Sequence, residues 1–381
     1  MDSLIASSRT WAEINLKALE NNVKILRKQI SNNTKFLGVV KANAYGHGSV
    51  QIAKKLQECK VDMLGVACIE EAIELRKGGI IIPILVLGIT PPELAEVISE
   101  YEITQTIEDF EYGKKLSEKV EKLQKKIKVH IKIDTGMGRL GFYLPEDGKD
   151  EKTKKMIINE IQQINKLPGL IIEGIFTHFA KATDKEFSYN QIKKFKEIKE
   201  NLSNIGIKFN ITHAASSTAI LNYPEAHFDM CRFGLVLYGY ESTETGNKNS
   251  KLNLQPVMTV KSRISAIKDL PKDYTISYDC TYILKKDSKI AILPIGYGDG
   301  YPRNLSNKVN VKINGIICPV IGRICMDMIM VDVSEINDIK VGDIGVVYDE
   351  ELITEGAEKT GTIIHELLSE ILPRVKRVFI N

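Results

Sequence analysis

The stretch Val39-Val40-Lys41-Ala42-Asn43-Ala44-Tyr45-Gly46-His47-Gly48 brings an apolar run, Phe36–Val40, to an end on a single lysine. Burial disfavours the ammonium form, and the neutral amine is the species that attacks carbonyls and makes Schiff bases. The bland alternative is a strand-end lysine that snorkels to water. Other groups able to do chemistry stand just after later apolar runs: Asp134 and Arg139, His178, His213, the pair Ser216-Ser217, and Arg232 with Gly234. Taken alone, each has an ordinary explanation. Ser-Ser before an apolar turn can be a plain helix N-cap, and Arg232 can close a structural ion pair.

What these residues share is their place in the pattern. From Phe36 to about Tyr240, short β-type runs alternate with longer amphipathic stretches. The runs are Phe36–Val40, Met63–Ala67, Ile82–Leu87, Ile103–Thr106, Val129–Ile133, Leu170–Phe176, Asn210–Thr212 and Phe228–Cys231, the fourth and seventh being weak. Helical patterns are clearest at Ile69–Lys77, Pro92–Ser99, Phe110–Lys126, Lys152–Lys166 and Asn190–Asn204. Eight strands alternating with helices predict an α/β fold, a (β/α)8 TIM-like barrel, whose active site lies at the C-terminal ends of the strands. The groups named above would then converge on one mouth. Such barrels most often bind phosphate with the loops after strands seven and eight, here Ala214-Ala215-Ser216-Ser217 and Gly234-Leu235.

Beyond the polar linker Glu241–Lys251 the character changes. Short β runs at Val257–Ile267, Lys289–Pro294, Val309–Ile313, Ile316–Ile321, Met328–Val333 and Gly345–Tyr348 are punctuated by turns at Asn314-Gly315 and Asn337-Asp338. The expected division is a barrel over 1–245 and a mainly β domain over 246–381. Thr362–Leu372 is expected as one helix before a last strand. The first strand-like piece, Thr10–Ile14, could pair with either domain.

Composition excludes more than it selects. A net charge of +3 carries no basic stripe for nucleic acid, and lysine clusters such as Lys125-Lys126 and Lys193-Lys194 sit among glutamates as solvated faces. The six cysteines show no CxxC pair and no metal-ligand spacing, as expected of reduced thiols in a cytoplasm. MDSLIASSRTW lacks the basic and apolar regions of a signal peptide, and the apolar run Ile80–Ile89, broken by Pro83, is too short to span a membrane. A soluble, cytoplasmic protein is expected.

The motif VVKANAYGHG resembles the signature of alanine racemases, and the resemblance continues in order through KIDTGMGRLG, FTHFA, THAASS, MCRFGLVLYG, ISYDCTY, GYGDGY and GRICMDMIMVDV. It implies that Lys41 holds pyridoxal 5′-phosphate as a Schiff base. Tyr45, Ser217, Gly234 and Leu235 would take the phosphate, and Arg232 would face the pyridine nitrogen. A guanidinium stays charged and accepts no proton, so the ring nitrogen would stay unprotonated, and decarboxylation and transamination would be restrained. Racemisation needs a base on each face of Cα. The resemblance assigns these to Lys41 and, from the partner chain of a homodimer with two composite sites, to Tyr278 in Ile276-Ser277-Tyr278-Asp279. A hydrogen-bonded network through His178 and Arg232 would stabilise the phenolate. Arg139 and the Met326 backbone N–H would hold the substrate carboxylate. Lys132 aligns with a lysine often carried as a carbamate, the alternative being a lysine paired with an acid. Tyr297 and Asp327 would line the entrance.

The resemblance implies interconversion of L- and D-alanine, supplying D-alanine for peptidoglycan. The alternatives are a racemase of broader or shifted specificity that accepts serine, and a non-catalytic barrel that buffers the cofactor. The β domain carrying Tyr278 and Met326 speaks against the second. A relative that decarboxylates basic amino acids should carry a cysteine nucleophile near the second-subunit loop and an HVGSG-like segment, and neither is found.

Overall fold

The computed structural model describes residues 8–146, 150–241 and 252–381. The N-terminal seven residues and segment 242–251, on which the signal-peptide and linker expectations largely fall, lie outside the described residues. Two compact units emerge: one from the described residues of 20–42 and 49–254, the other from 8–19, 43–48 and 255–381.

In the first unit, eight parallel strands close into a barrel: Lys35–Val39, Met63–Val66, Ile84–Val86, Ile103–Ile107, Ile127–Asp134, Leu170–Phe176, Ile211–Ser216 and Met230–Phe233. The last pairs with the first, Cys231 opposite Phe36 and Arg232 opposite Leu37. Phe36 and Phe233 stack with ring centroids 3.8 Å apart. Three of the longer helices begin on an aspartate whose carboxylate accepts an N–H three residues on, Asp109 from Tyr112, Asp150 from Thr153 and Asp184 from Phe187. The fourth strand reads weakly because its middle, Thr104-Gln105-Thr106, is polar yet buried. Its side-chain donors find internal acceptors: Thr106 donates to the Val86 carbonyl at 2.6 Å and Gln105 to the Gly88 carbonyl at 2.8 Å, while Gln105 Oε1 has no partner.

The fifth strand differs from its neighbours. IKVHIKID alternates strictly, so Ile127, Val129, Ile131 and Ile133 share one face and Lys128, His130, Lys132 and Asp134 the other. His130, Lys132 and Asp134 are nevertheless buried, which makes the polar face a column inside the barrel.

A nine-stranded sheet makes up the second unit. Thr10–Asn15 lies within it, antiparallel to Met258–Arg263 and parallel to Lys376–Ile380, with Trp11 and Ile14 fully buried. The run Val257–Ile267, expected as one strand, forms two, Met258–Arg263 and Ala266–Leu270. At Ile264-Ser265 the chain changes partners, Ile264 N–H donating to Asp343 and Ser265 N–H to Ile292. Asn314-Gly315 makes the expected hairpin, with both φ angles positive and Ile313 opposite Ile316. A helix not foreseen, Glu350–Thr360, starts on Asp349 and stops at Gly361 (φ +69°). The helix expected over 362–372 is therefore shorter, Ile364–Glu370. Among the described residues, no helix is long and apolar enough to cross a membrane.

Candidate active site

Lys41 follows the first barrel strand, and the backbone after it takes an uncommon course. Ala42, Asn43, Ala44 and Tyr45 all have φ between 51° and 53°, a left-handed turn of four non-glycine residues. Each costs about 1–2 kcal/mol against the right-handed form, and such strain concentrates at functional sites. The sequence reads only as a small-residue loop here. Its start is held by Glu71, whose two carboxylate oxygens accept the N–H groups of Ala42 (2.6 Å) and Ala67 (2.7 Å). Glu71 escaped the sequence reading, although its place at the third position of helix Ile69–Lys77 is where a capping acid is expected.

Burial and the Arg139 charge push the Lys41 amine below its ordinary value, Glu71 pulls it back, and Arg232 lowers it further. Lys132 is almost wholly buried. Desolvation and the Arg232 charge bring its pKa down to about 7, against the pull of Asp134. Its Nζ donates to the Ile133 carbonyl at 3.2 Å and stands 5.1 Å over the Phe176 ring. Among the described residues no carboxylate lies within ion-pair distance of it, so the paired-acid alternative fails. Gly141 (φ +108°) passes so close that a Cβ there would lie 2.6 Å from the Lys132 side chain.

Asp134 organises the next loop. Burial raises its pKa, but N–H groups from Gly136, Arg139 and Met137 more than offset this, leaving it below the ordinary value. Arg139 is thereby fixed by its backbone while its side chain stays exposed.

Arg232 is buried and held by several contacts at once. Its Nη2 donates to the carbonyls of Thr177 and Ala214, both at 2.9 Å, and lies 3.0 Å from His178 Nδ1; its Nη1 lies 3.0 Å from His213 Nδ1. Burial lowers its pKa to about 10, so it remains charged at neutral pH. A guanidinium donates only, so both Nδ1 atoms accept. His178 is held well below its ordinary pKa by burial and by the Arg232 charge, so it is neutral and carries its proton on Nε2.

Ser216 is the N-cap of Ser217–Asn222, yet its side chain makes no capping bond. Ser217 Oγ instead accepts the Gly234 N–H at 3.2 Å, joining the turns after strands seven and eight. Leu235 opens the short 3₁₀ helix Leu235–Tyr238.

The remaining sequence candidates belong to the second unit. Burial raises Tyr45 to about 12, and its ring lies edge-on to His365 at 6.4 Å. Tyr278 is 65% exposed and flanked by strain: Ser277 has φ 64°, ψ −170°, a region nearly restricted to glycine, and Asp279 and Cys280 also have positive φ. Ser277 Oγ donates to the Arg323 carbonyl at 2.6 Å, which fastens this loop to the chain leading into Met326. Met326 is exposed, and its carbonyl accepts from Gly298 N–H at 2.8 Å and Arg374 Nη2 at 3.3 Å. Arg374 also pairs with Asp327 (2.8 Å) and the buried Asp299 (2.7 Å). The loops carrying Tyr297, Met326-Asp327 and Pro373-Arg374 thus form one linked cluster.

A half-buried amine shifted toward neutrality, a serine–glycine junction and an anchored guanidinium, all at the mouth of an α/β barrel, suit an enzyme of covalent amine chemistry. Comparison with known proteins makes that class specific. The chain matches the family models for the alanine racemase N-terminal domain over residues 14–242 and C-terminal domain over 257–379. It is 43% identical to an alanine racemase of Methanococcus maripaludis over 99% of this chain and 100% of that one. Among solved structures it is similar to the alanine racemase of Clostridium difficile 630 (TM-score 0.91, 40% identity, 98% and 96% of the two chains). It is also similar to that of Bartonella henselae with covalently bound pyridoxal phosphate (TM-score 0.85, 27% identity, 98% and 100%). The chain belongs to the alanine racemase family and is an isomerase of amino acids.

Proposed function

We propose that the protein interconverts L- and D-alanine with pyridoxal 5′-phosphate as cofactor, using Lys41 on one face of Cα and Tyr278 of the partner subunit on the other. The observation that carries this reading is the half-buried Lys41 amine at the end of the first barrel strand, shifted toward its nucleophilic form by desolvation and by the charges of Arg139 and Arg232. The donor set fits the cofactor. Ser217 and the backbone at Gly234-Leu235 suit the phosphate, Tyr45 adds a hydroxyl, and the exclusively donating Arg232 suits an unprotonated pyridine nitrogen. When bound, the cofactor supplies a carbonyl for the amino group and an electron sink that acidifies the Cα hydrogen.

This chain's residues do the rest. Lys41 takes or returns the proton on its face once its amine is free. Tyr278 serves the opposite face through its phenolic oxygen, with the Nε2–H of neutral His178 as a hydrogen-bond donor to it. Arg139 is the group for the substrate carboxylate, and the Met326 N–H is a second donor expected for it. Lys132 carries a carbamate: its near-neutral amine combines with carbon dioxide, releases a proton, and becomes an anion that balances Arg139 and Arg232. The enzyme acts as a homodimer in the cytoplasm, and D-alanine for peptidoglycan is the product it supplies.

The test is incubation with L-alanine in deuterated water. Loss of optical rotation with one deuterium gained at Cα, and no carbon dioxide released, is the expected result. Binding of the cofactor without exchange would instead favour the buffering protein.

A further inference from the structure

The polar column of the fifth barrel strand continues away from Arg232 through groups that no step above employs. His213 Nε2 lies 2.9 Å from His130 Nδ1. His130 Nε2 faces Glu173 Oε2 at 3.5 Å, and Glu173 Oε1 meets Lys128 Nζ at 2.6 Å. At 3.5 Å this contact is not a formed hydrogen bond, and both buried atoms are otherwise without a hydrogen-bond partner, so each is the nearest group able to satisfy the other. Lys128, His130 and Lys132 alternate on one face, so the chain of contacts runs down the barrel from its mouth toward the opposite end.

We propose that Glu173 and His130 are positioning residues for Arg232: through His213 they form a hydrogen-bonded chain whose two ends permit a single arrangement of protons. Arg232 at the upper end can only donate, and a carboxylate at the lower end can only accept. With both imidazoles neutral, every hydrogen bond then points from Arg232 toward Glu173, and both histidines carry their protons on Nε2. Burial holds each histidine below its ordinary pKa, consistent with neutral rings. Glu173 is held down to about 2, chiefly by its contact with His130, so the accepting end stays ionised.

The rings themselves are fixed. His213 stacks on Phe176 with centroids 4.7 Å apart and planes 4° apart. His130 lies over Gly174, where a Cβ would come within 2.7 Å of its ring. Only glycine admits the imidazole at that point. A chain with fixed rings and fixed polarity gives Arg232 an orientation set from below as well as by the carbonyls of Thr177 and Ala214. The inference rests on the reading of Arg232 as the group facing the cofactor's ring nitrogen.

The decisive variant exchanges the lower ion pair, Lys128→Glu with Glu173→Lys. It keeps opposite charges together but puts an exclusively donating group under His130. The chain must then reverse, which sets an Nδ1–H of His213 against the Arg232 guanidinium. With ¹⁵N-labelled histidine in the cofactor-free protein, His213 is expected to move its proton from Nε2 to Nδ1. In the cofactor-loaded enzyme kcat is expected to fall about tenfold or more, as for other displaced catalytic groups, with KM little changed. A His213 proton that stays on Nε2 overturns the proposal, and so does a moved proton with kcat within twofold. Should the exchanged pair not fold, Glu173→Gln carries the test by removing the charge while keeping an acceptor. It should speed hydrogen exchange at His213 Nε2 and lower kcat; unchanged exchange overturns the proposal. A wild-type protein that exchanges no Cα hydrogen, yet whose His213 proton moves in the swapped variant, fails the functional reading alone.

Discussion

One Glu71 oxygen accepts the N–H of Ala42, the residue after Lys41, at 2.6 Å, so the carboxylate stabilises the first bond of the left-handed turn and the charge of the neighbouring ammonium. Removing that negative charge must lower the Lys41 pKa further, because burial, Arg139 and Arg232 already act in that direction. Glu71→Gln should therefore shift the pH at which the Lys41 amine becomes reactive to lower values. Amine-selective labelling of the cofactor-free protein against pH, read on the Lys41 peptide, measures this directly. A curve that moves upward or stays in place would show that Glu71 only braces the loop.

Lys41 is expected to be the cofactor's attachment point. Borohydride reduction and peptide mapping should leave the pyridoxyl mass on the Lys41 peptide, and recovery on any other lysine would end the reading. Lys41→Ala should cost several orders of magnitude in kcat, on the order of 10³ or more, since the covalent anchor and one of two bases are lost together.

Strand periodicity made the barrel legible, because a parallel sheet covered on both faces demands near-continuous apolar runs and gives them. It left the interior wiring obscure. His130 and Glu173 sit mid-strand with no neighbouring motif, and only closure of the sheet brings them to His213 and Lys128. The strict alternation of IKVHIKID was the available signal, since four polar residues on one face of a barrel strand need partners inside. The left-handed turn after Lys41 was hidden for a different reason. Alanine and tyrosine do not announce positive φ, and the sequence does not show the close approach just after the turn, where a Cβ at Gly46 would lie 2.0 Å from the Leu368 carbonyl within the second unit. In that unit the helix Glu350–Thr360 was missed although Asp349 and Gly361 bracket it with a sound cap and stop.

The proposal that the site is shared between chains makes a prediction by complementation. Lys41→Ala and Tyr278→Phe proteins, each inactive, should regain part of the activity after their subunits are mixed and allowed to exchange. One of the two sites in each heterodimer receives both intact residues. No recovery, with exchange verified by mass, would place Tyr278 in its own chain's site or outside catalysis altogether.

Substrate preference turns on Pro373. The resemblance of the sequence to alanine racemases implies a tyrosine just before the Arg-Val pair near the C-terminus, and here Pro373 precedes Arg374-Val375. The Val375 N–H donates to the Leu372 carbonyl at 3.1 Å, so Pro373 is the second residue of a turn, where its fixed φ is at home. Arg374, bound to Asp299 and Asp327, holds that turn in the cluster of loops around Met326. The expectation is that residue 373 borders the substrate side chain, where proline, with no hydroxyl and much less volume than tyrosine, would leave more room. Apolar pockets discriminate weakly even when complete, by about 10- to 200-fold per methylene and about 10²-fold against an added hydroxyl. With the wall reduced, kcat/KM for L-serine is expected within about tenfold of that for L-alanine. Measuring both substrates side by side decides the matter, and a preference for alanine above about a hundredfold would show that other residues rebuild the wall. Pro373→Tyr is the companion variant. The turn position accepts most residues, so the change should cost no more than about 1 kcal/mol through the freer unfolded chain. It should narrow the enzyme toward alanine, with serine turnover falling and alanine turnover kept. A variant that treats the two amino acids as the parent does would show that residue 373 does not reach the substrate.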